Sequence, residues 1–111
     1  MTTAPVISVH ELNRRQRAGE PLFLLDVRTE SEFILGHLPF TDALIPYDEL
    51  PESIGQLPAD RNTFIFAFCR SGRRSDFAAQ YLSSIGYCNV FNVAGGIIAW
   101  HDAGFETVSG K

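Results

Sequence analysis

The chain has 111 residues, a length that suits one domain with a single core and no need of disulfide staples. Hydrophobic residues make up 45% and charged residues 20%, the balance of a globular protein rather than a disordered one. The formal net charge of −4 argues against a general nucleic-acid or membrane-surface binder, because both partners are polyanions.

Apolar runs that read as strands alternate with helical patterns along the whole chain. Val6-Ile7 is a brief first strand. Ser8 and Glu11 form a capping-box pattern that opens a helix ending near Gly19-Glu20-Pro21. Leu22 to Val27 is a continuous apolar strand. Thr29 or Ser31 caps a short helix through Glu32-Phe33-Ile34-Leu35, which Gly36 stops. Ala43-Leu44-Ile45 is a short strand halted by Pro46, and a modest helix runs from Asp48 to about Ile54. Pro58 to Asp60 turns the chain into the run Thr63-Phe64-Ile65-Phe66-Ala67-Phe68, which reads as a buried strand. From Ser75 to Ile85 the spacing predicts a helix with Ala78, Leu82 and Ile85 on one face and Phe77 and Tyr81 beside them, ended by Gly86. Val90 to Val93 is the last strand, and Gly95-Gly96 turns tightly into a short helix carrying Ile97, Ile98 and Trp100. Alternation of this kind predicts one α/β domain, residues 1–111 with a core over about 7–105, built on a mostly parallel sheet. Only Met1 to Pro5 and Val108 to Lys111 read as loose ends.

The first 25 residues contain Glu11, Glu20, three arginines and no continuous apolar segment, so they do not form a signal peptide. No stretch approaches the roughly 20 apolar residues of a membrane span. Cys69 and Cys88 are too few for a secreted disulfide framework, and a reduced, cytoplasmic setting is expected. His10, His37 and His101 show no metal-like spacing, Gly95-Gly96 lacks the third glycine of a dinucleotide fingerprint, and neither a metal nor a cofactor is expected.

Cys69 carries the chemistry. It closes the strand and opens Cys69-Arg70-Ser71-Gly72-Arg73-Arg74, which leads directly into a helix. In a parallel sheet, ligands bind beyond the carboxyl ends of the strands, where Cys69 lies. A tight strand-to-helix turn leaves unpaired backbone N–H groups, and with the helix dipole these favour a thiolate. Three of the nine Lys and Arg residues fall in this segment of an acidic protein. Gly72 supplies the backbone freedom the turn requires. Arg70 and Arg73 are expected to face an anionic ligand, Arg74 to serve the helix start, Ser71 to offer a hydroxyl and Ser75 to cap the helix. Most free cysteines are simply small buried hydrophobes, but charged residues directly after a core cysteine would pack poorly. Cys88 reads as a packing residue and Trp100 as a core anchor.

Taken in order, Asp26-Val27-Arg28, Glu32-Phe33, Gly36-His37-Leu38-Pro39, the Cys69 to Arg74 loop, Val93-Ala94-Gly95-Gly96 and Ala99-Trp100 resemble a single-domain rhodanese, over roughly residues 7–105. The resemblance implies a five-stranded parallel sheet with helices on both faces and the active loop after the fourth strand. It further implies a sulfurtransferase in which Cys69 accepts a sulfane sulfur from a small anionic donor such as thiosulfate, forms a persulfide, and passes the sulfur to a thiol, cyanide or a protein. Asp26, Arg28 and Glu32 take the place of structural supports near the site. One segment departs from the family pattern. Phe40-Thr41-Asp42-Ala43-Leu44-Ile45-Pro46 lacks a glycine and is about one residue longer, so a different backbone is expected there.

Two other functions compete. In one, the protein is a non-catalytic persulfide carrier or interaction module loaded by a partner such as a cysteine desulfurase. The other is phosphoryl chemistry, for which related phosphatases use an arginine six positions after the cysteine. Here Arg74 lies five positions after Cys69 and Ser75 takes the sixth, a loop too tight for tetrahedral phosphate.

Overall fold

The computed structural model describes residues 4–111. Five strands form one sheet in the order β1-β5-β4-β2-β3: β1 Val6–Ile7, β2 Phe23–Asp26, β3 Ala43–Leu44, β4 Phe64–Phe68 and β5 Asn89–Val93. Every pairing within it is parallel. The helices are α1 Val9–Arg17, α2 Glu30–Leu35, α3 Arg73–Ser84 and α4 Gly96–Asp102.

Strand alternation sends side chains to two cores. Leu24, Phe66 and Phe68 join Leu12 of α1 and Trp100 of α4 on one face. Leu25, Ile65, Ala67 and Cys69 join Ala78, Ala79 and Leu82 of α3 on the other. The expected α/β sheet with helices on both faces is the observed architecture. Cys69 thus leaves β4 on the α3 side, at the carboxyl end of the central strand.

Local detail differs from expectation in several places. At α1, Ser8 accepts from the Glu11 N–H, but the Glu11 carboxylate turns to Arg14 and Arg15, so only half of the capping box forms. The reciprocal box appears instead at α2, between Thr29 and Glu32. The segment after Pro46 is not an α-helix but two 3-10 turns, Tyr47–Glu52 and Ile54–Gln56, because Pro51 lacks the N–H that an α-helix would use. Helix α3 begins at Arg73 rather than Ser75, and Phe77 is 63% exposed, resting edge-on against Tyr47 instead of entering the core. The carboxyl end is tied down: Val108 and His37 exchange backbone bonds, the Gly110 N–H donates to Ile34, and Lys111 pairs with Glu30. Met1 to Thr3, part of the other expected loose end, lie outside the described residues.

In the longer Phe40 to Pro46 segment, the Asp42 carboxylate accepts from the Leu24 N–H, while its own N–H donates to the Leu24 carbonyl. Asp42 thereby extends the pairing of β2 back along the segment that leads into β3. Cys88 is exposed rather than packed, and both cysteines are free. It precedes β5, whose first residue pairs with the first residue of β4, so it lies at the end of the sheet opposite Cys69. Five residues of parallel strand place the two thiols roughly 15 Å apart along the sheet, too far for a disulfide.

Candidate active site

The loop after β4 wraps around its own cysteine. The Gly72 N–H donates to Cys69 Sγ at 3.1 Å, the Ser75 N–H at 3.4 Å, and the Ser75 hydroxyl lies 3.2 Å away. Gly72 makes this possible at φ 102°, a left-handed conformation that side chains resist, directly before α3 begins. The amino end of a twelve-residue helix therefore faces the sulfur.

Two loop carbonyls, those of Cys69 and Arg70, point the other way. Helix α4 begins against them: the Ile97 N–H donates to the Cys69 carbonyl at 2.9 Å and the Ile98 N–H to Arg70 at 3.2 Å. A Cβ on Gly96 would lie 2.2 Å from the Cys69 oxygen and 2.5 Å from the Arg70 oxygen. Gly95-Gly96 is thus more than a tight turn, because its bare backbone lets two helix N–H groups grip the loop from behind. Carbonyls held outward leave N–H groups aimed inward.

Burial pushes the Cys69 thiol up, but hydrogen bonding from the Ser75 hydroxyl and from the N–H groups of Ser75, Gly72 and Ser71 outweighs it. The net effect holds the thiol below its ordinary value. The group best placed to be ionised is also well covered, since Cys69 is 1% exposed. Beside it opens a groove of about 500 Å³ lined by Arg28, Arg70, Leu35, Ile97, Ile98 and His101 among others. The groove reaches the loop at Arg70, while Cys69 lies beneath and does not line it.

The arginines divide their tasks differently from expectation. Arg70 is exposed, borders the groove and forms no ion pair among the described residues. Arg74 makes two bonds of 2.8 Å to the Glu32 carboxylate, tying α3 to α2 rather than serving the helix start. That contact holds the Glu32 carboxyl down at about 2 and raises the Arg74 guanidinium. Arg73 opens α3, is exposed, does not line the groove, and has no hydrogen-bonded partner among the described residues. Arg28 and Asp26 form a buried, two-pronged ion pair, and Arg28 also donates to the Gly36 carbonyl at 2.8 Å. This pair fixes the turn between β2 and α2 and so the height of Glu32.

Ser71 is exposed, and it acts on the sulfur through its backbone N–H rather than its hydroxyl. Ser75 is not a cap but a buried hydroxyl between Cys69 and Asn92, whose Oδ1 lies 2.6 Å away. Asn92 is the residue that sequence reasoning missed. Its Nδ2 donates to the Gly72 carbonyl at 3.0 Å. The available signal was an amide inside an apolar strand, where such residues are disfavoured. Among the described residues no cluster of His, Cys, Asp and Glu is arranged to hold a metal, and no helix is long and apolar enough to cross a membrane.

The family model described as rhodanese-like domain matches residues 8–103. A sulfurtransferase of Allochromatium vinosum is 39% identical over 93% of this chain and 94% of its own length. The putative sulfur carrier protein YrkF of Bacillus subtilis is 32% identical over 89% of this chain, which spans 52% of that relative. Among solved structures, a thiosulfate sulfurtransferase from Pseudomonas aeruginosa superposes with a TM-score of 0.85 at 30% identity, covering 96% of this chain and 20% of that one.

Proposed function

The chain belongs to the rhodanese-like domain family of sulfurtransferases, and on that premise we propose that it transfers a sulfane sulfur through a persulfide on Cys69. The observation that carries the reading is the ring of donors around Cys69 Sγ, which stabilises negative charge on sulfur without a separate base. In the first half-reaction the Cys69 thiolate attacks the outer sulfur of thiosulfate. The S–S bond of the donor breaks, sulfite leaves with the electron pair, and Cys69 carries an S–S⁻ group. In the second, an acceptor thiolate or cyanide attacks that outer sulfur and the Cys69 thiolate is released.

Arg70, which borders the groove and is unpaired among the described residues, holds the donor's sulfonate and then the departing sulfite. Because Cys69 is almost fully covered, the donor's terminal sulfur reaches it only as the loop around it shifts. Arg74, engaged with Glu32, braces the loop and is not available to clasp a phosphate. A thiolate nucleophile of this kind suits a reducing, cytoplasmic setting.

A second reading, a persulfide carrier loaded by a protein such as a cysteine desulfurase, is favoured by one observation. The groove beside the sealed sulfur is far larger than thiosulfate, and Leu35 on its rim is 84% exposed. Intact-mass analysis after incubation with thiosulfate tests both readings. Addition of one sulfur atom with release of sulfite supports the first. Loading only by a desulfurase supports the second, and no adduct from either source on folded protein refutes both.

A further inference from the structure

Ser75 has one hydroxyl proton and two acceptors. Its Oγ lies 2.6 Å from Asn92 Oδ1 and 3.2 Å from Cys69 Sγ, and it can donate to only one of them at a time. The Asn92 amide cannot turn over to relieve this competition. Its Nδ2 donates to the Gly72 carbonyl at 3.0 Å, and a carbonyl only accepts, so Oδ1 stays directed at Ser75. Ser75 is 0% and Asn92 6% exposed, which removes bulk water as a third partner.

We propose that Asn92 is a positioning residue for sulfur transfer, accepting the Ser75 hydroxyl hydrogen bond whenever Cys69 Sγ is uncharged and releasing it when Sγ is a thiolate. In the free thiol, and in the persulfide whose charge sits on the outer sulfur, the short bond to Oδ1 forms. Ionisation of Sγ requires the proton to swing to the longer contact. Asn92 therefore tempers the thiolate and favours the loaded state, which deepens the persulfide reading above and rests on it. The charged groups on the elements around Cys69 are Arg70, Arg73, Arg74 and Asp76 of the loop and α3, Glu32 of α2, and the Asp26–Arg28 pair at the end of β2. Strand β5 brings none, and α4 brings only His101 and Asp102 in its last turn. All of them stay in place in the variants below.

The test uses Cys88→Ser protein, so that Cys69 is the one thiol present, and measures its alkylation by iodoacetamide against pH by intact mass. Asn92→Val is expected to speed alkylation roughly three- to tenfold on the acidic limb, the scale of one hydrogen bond. In a Ser75→Ala background the same substitution is expected to change nothing. An unchanged or slower reaction overturns the proposal. So does an equal effect in both backgrounds, which would assign it to the Gly72 contact. These arms need no sulfur donor, so failed sulfur loading is separable from failure of the proton switch. Should Asn92→Val not fold, the Asn92 side-chain amide is followed by NMR in otherwise unaltered Cys88→Ser protein. The resonance is expected to move as Cys69 ionises and to return on loading, and no movement on ionisation overturns the proposal.

Discussion

The backbone N–H of Ile97 donates to the carbonyl of Cys69 at 2.9 Å, so the helix after β5 holds the catalytic candidate after β4 by its main chain. Two helices therefore act on one loop from opposite sides. Helix α3 offers its amino end to the sulfur, and α4 draws the loop carbonyls away from it. A peptide unit whose oxygen is fixed on one side presents its N–H on the other, so α4 contributes to the sulfur's environment without touching the sulfur.

Gly96→Ala is expected to disturb this arrangement severely. The new Cβ would meet two backbone oxygens at 2.2 and 2.5 Å, and neither belongs to a flexible side chain. Stability is expected to fall by about 2–4 kcal/mol, as for overpacking at a fixed backbone contact. Thermal unfolding checks the loss, and the pH profile of Cys69 alkylation is expected to move toward that of free cysteine.

The thiol's acidity sets a second expectation. Its folded pKa lies below the unfolded one, so the associated stabilisation is present above the unfolded value and is lost as pH falls through the folded one. Alkylation of Cys69 should therefore persist at pH values where free cysteine, titrating at about 8.5, has become unreactive. Cys69→Ser is expected to abolish both alkylation at this site and sulfur loading while leaving the circular dichroism spectrum unchanged.

Glu32 gives an acid-range prediction. Its folded pKa of about 2 is below its ordinary value of 4.5, so the contribution of the Arg74 pair is complete above that ordinary value and fades as pH drops toward 2. Both side chains are 29% exposed, so solvent screening reduces the effect to about 1 kcal/mol. Glu32→Gln should remove this part of the acid dependence, which urea unfolding at pH 7 and at pH 3 would reveal.

Arg28→Met is expected to be far more damaging than its distance from the sulfur suggests. It strands the Asp26 carboxylate at 0% exposure without its counter-ion, a loss of about 3–5 kcal/mol. The paired substitution Asp26→Leu with Arg28→Met should recover most of that stability, as measured by urea unfolding.

Much of this architecture was legible because it obeys local rules. The strand before Cys69 is dense in apolar residues, Thr29 caps where a cap is needed, and Gly86 ends α3 at φ 107°. What escaped depends on residues distant in sequence. Asn92 matters because β5 lies beside β4 and meets Gly72 and Ser75 there, a pairing that its strand-like neighbours do not disclose. Gly96 reads as a turn residue until α4 is seen resting on the Cys69 loop. The Arg74–Glu32 contact spans 42 positions, so arginine spacing alone pointed to the helix start. Phe77 fits a helical apolar stripe by period, yet the sheet beneath α3 is already filled by Ala78, Ala79 and Leu82.

The placement of Cys88 bears on every assay of this protein that counts sulfhydryl groups. A bulky colorimetric reagent will report the outward-facing thiol first and give a stoichiometry that says nothing about occupancy of the inner one. The same geometry makes position 88 a convenient anchor for a fluorophore, remote from the chemistry yet fixed to the same rigid sheet.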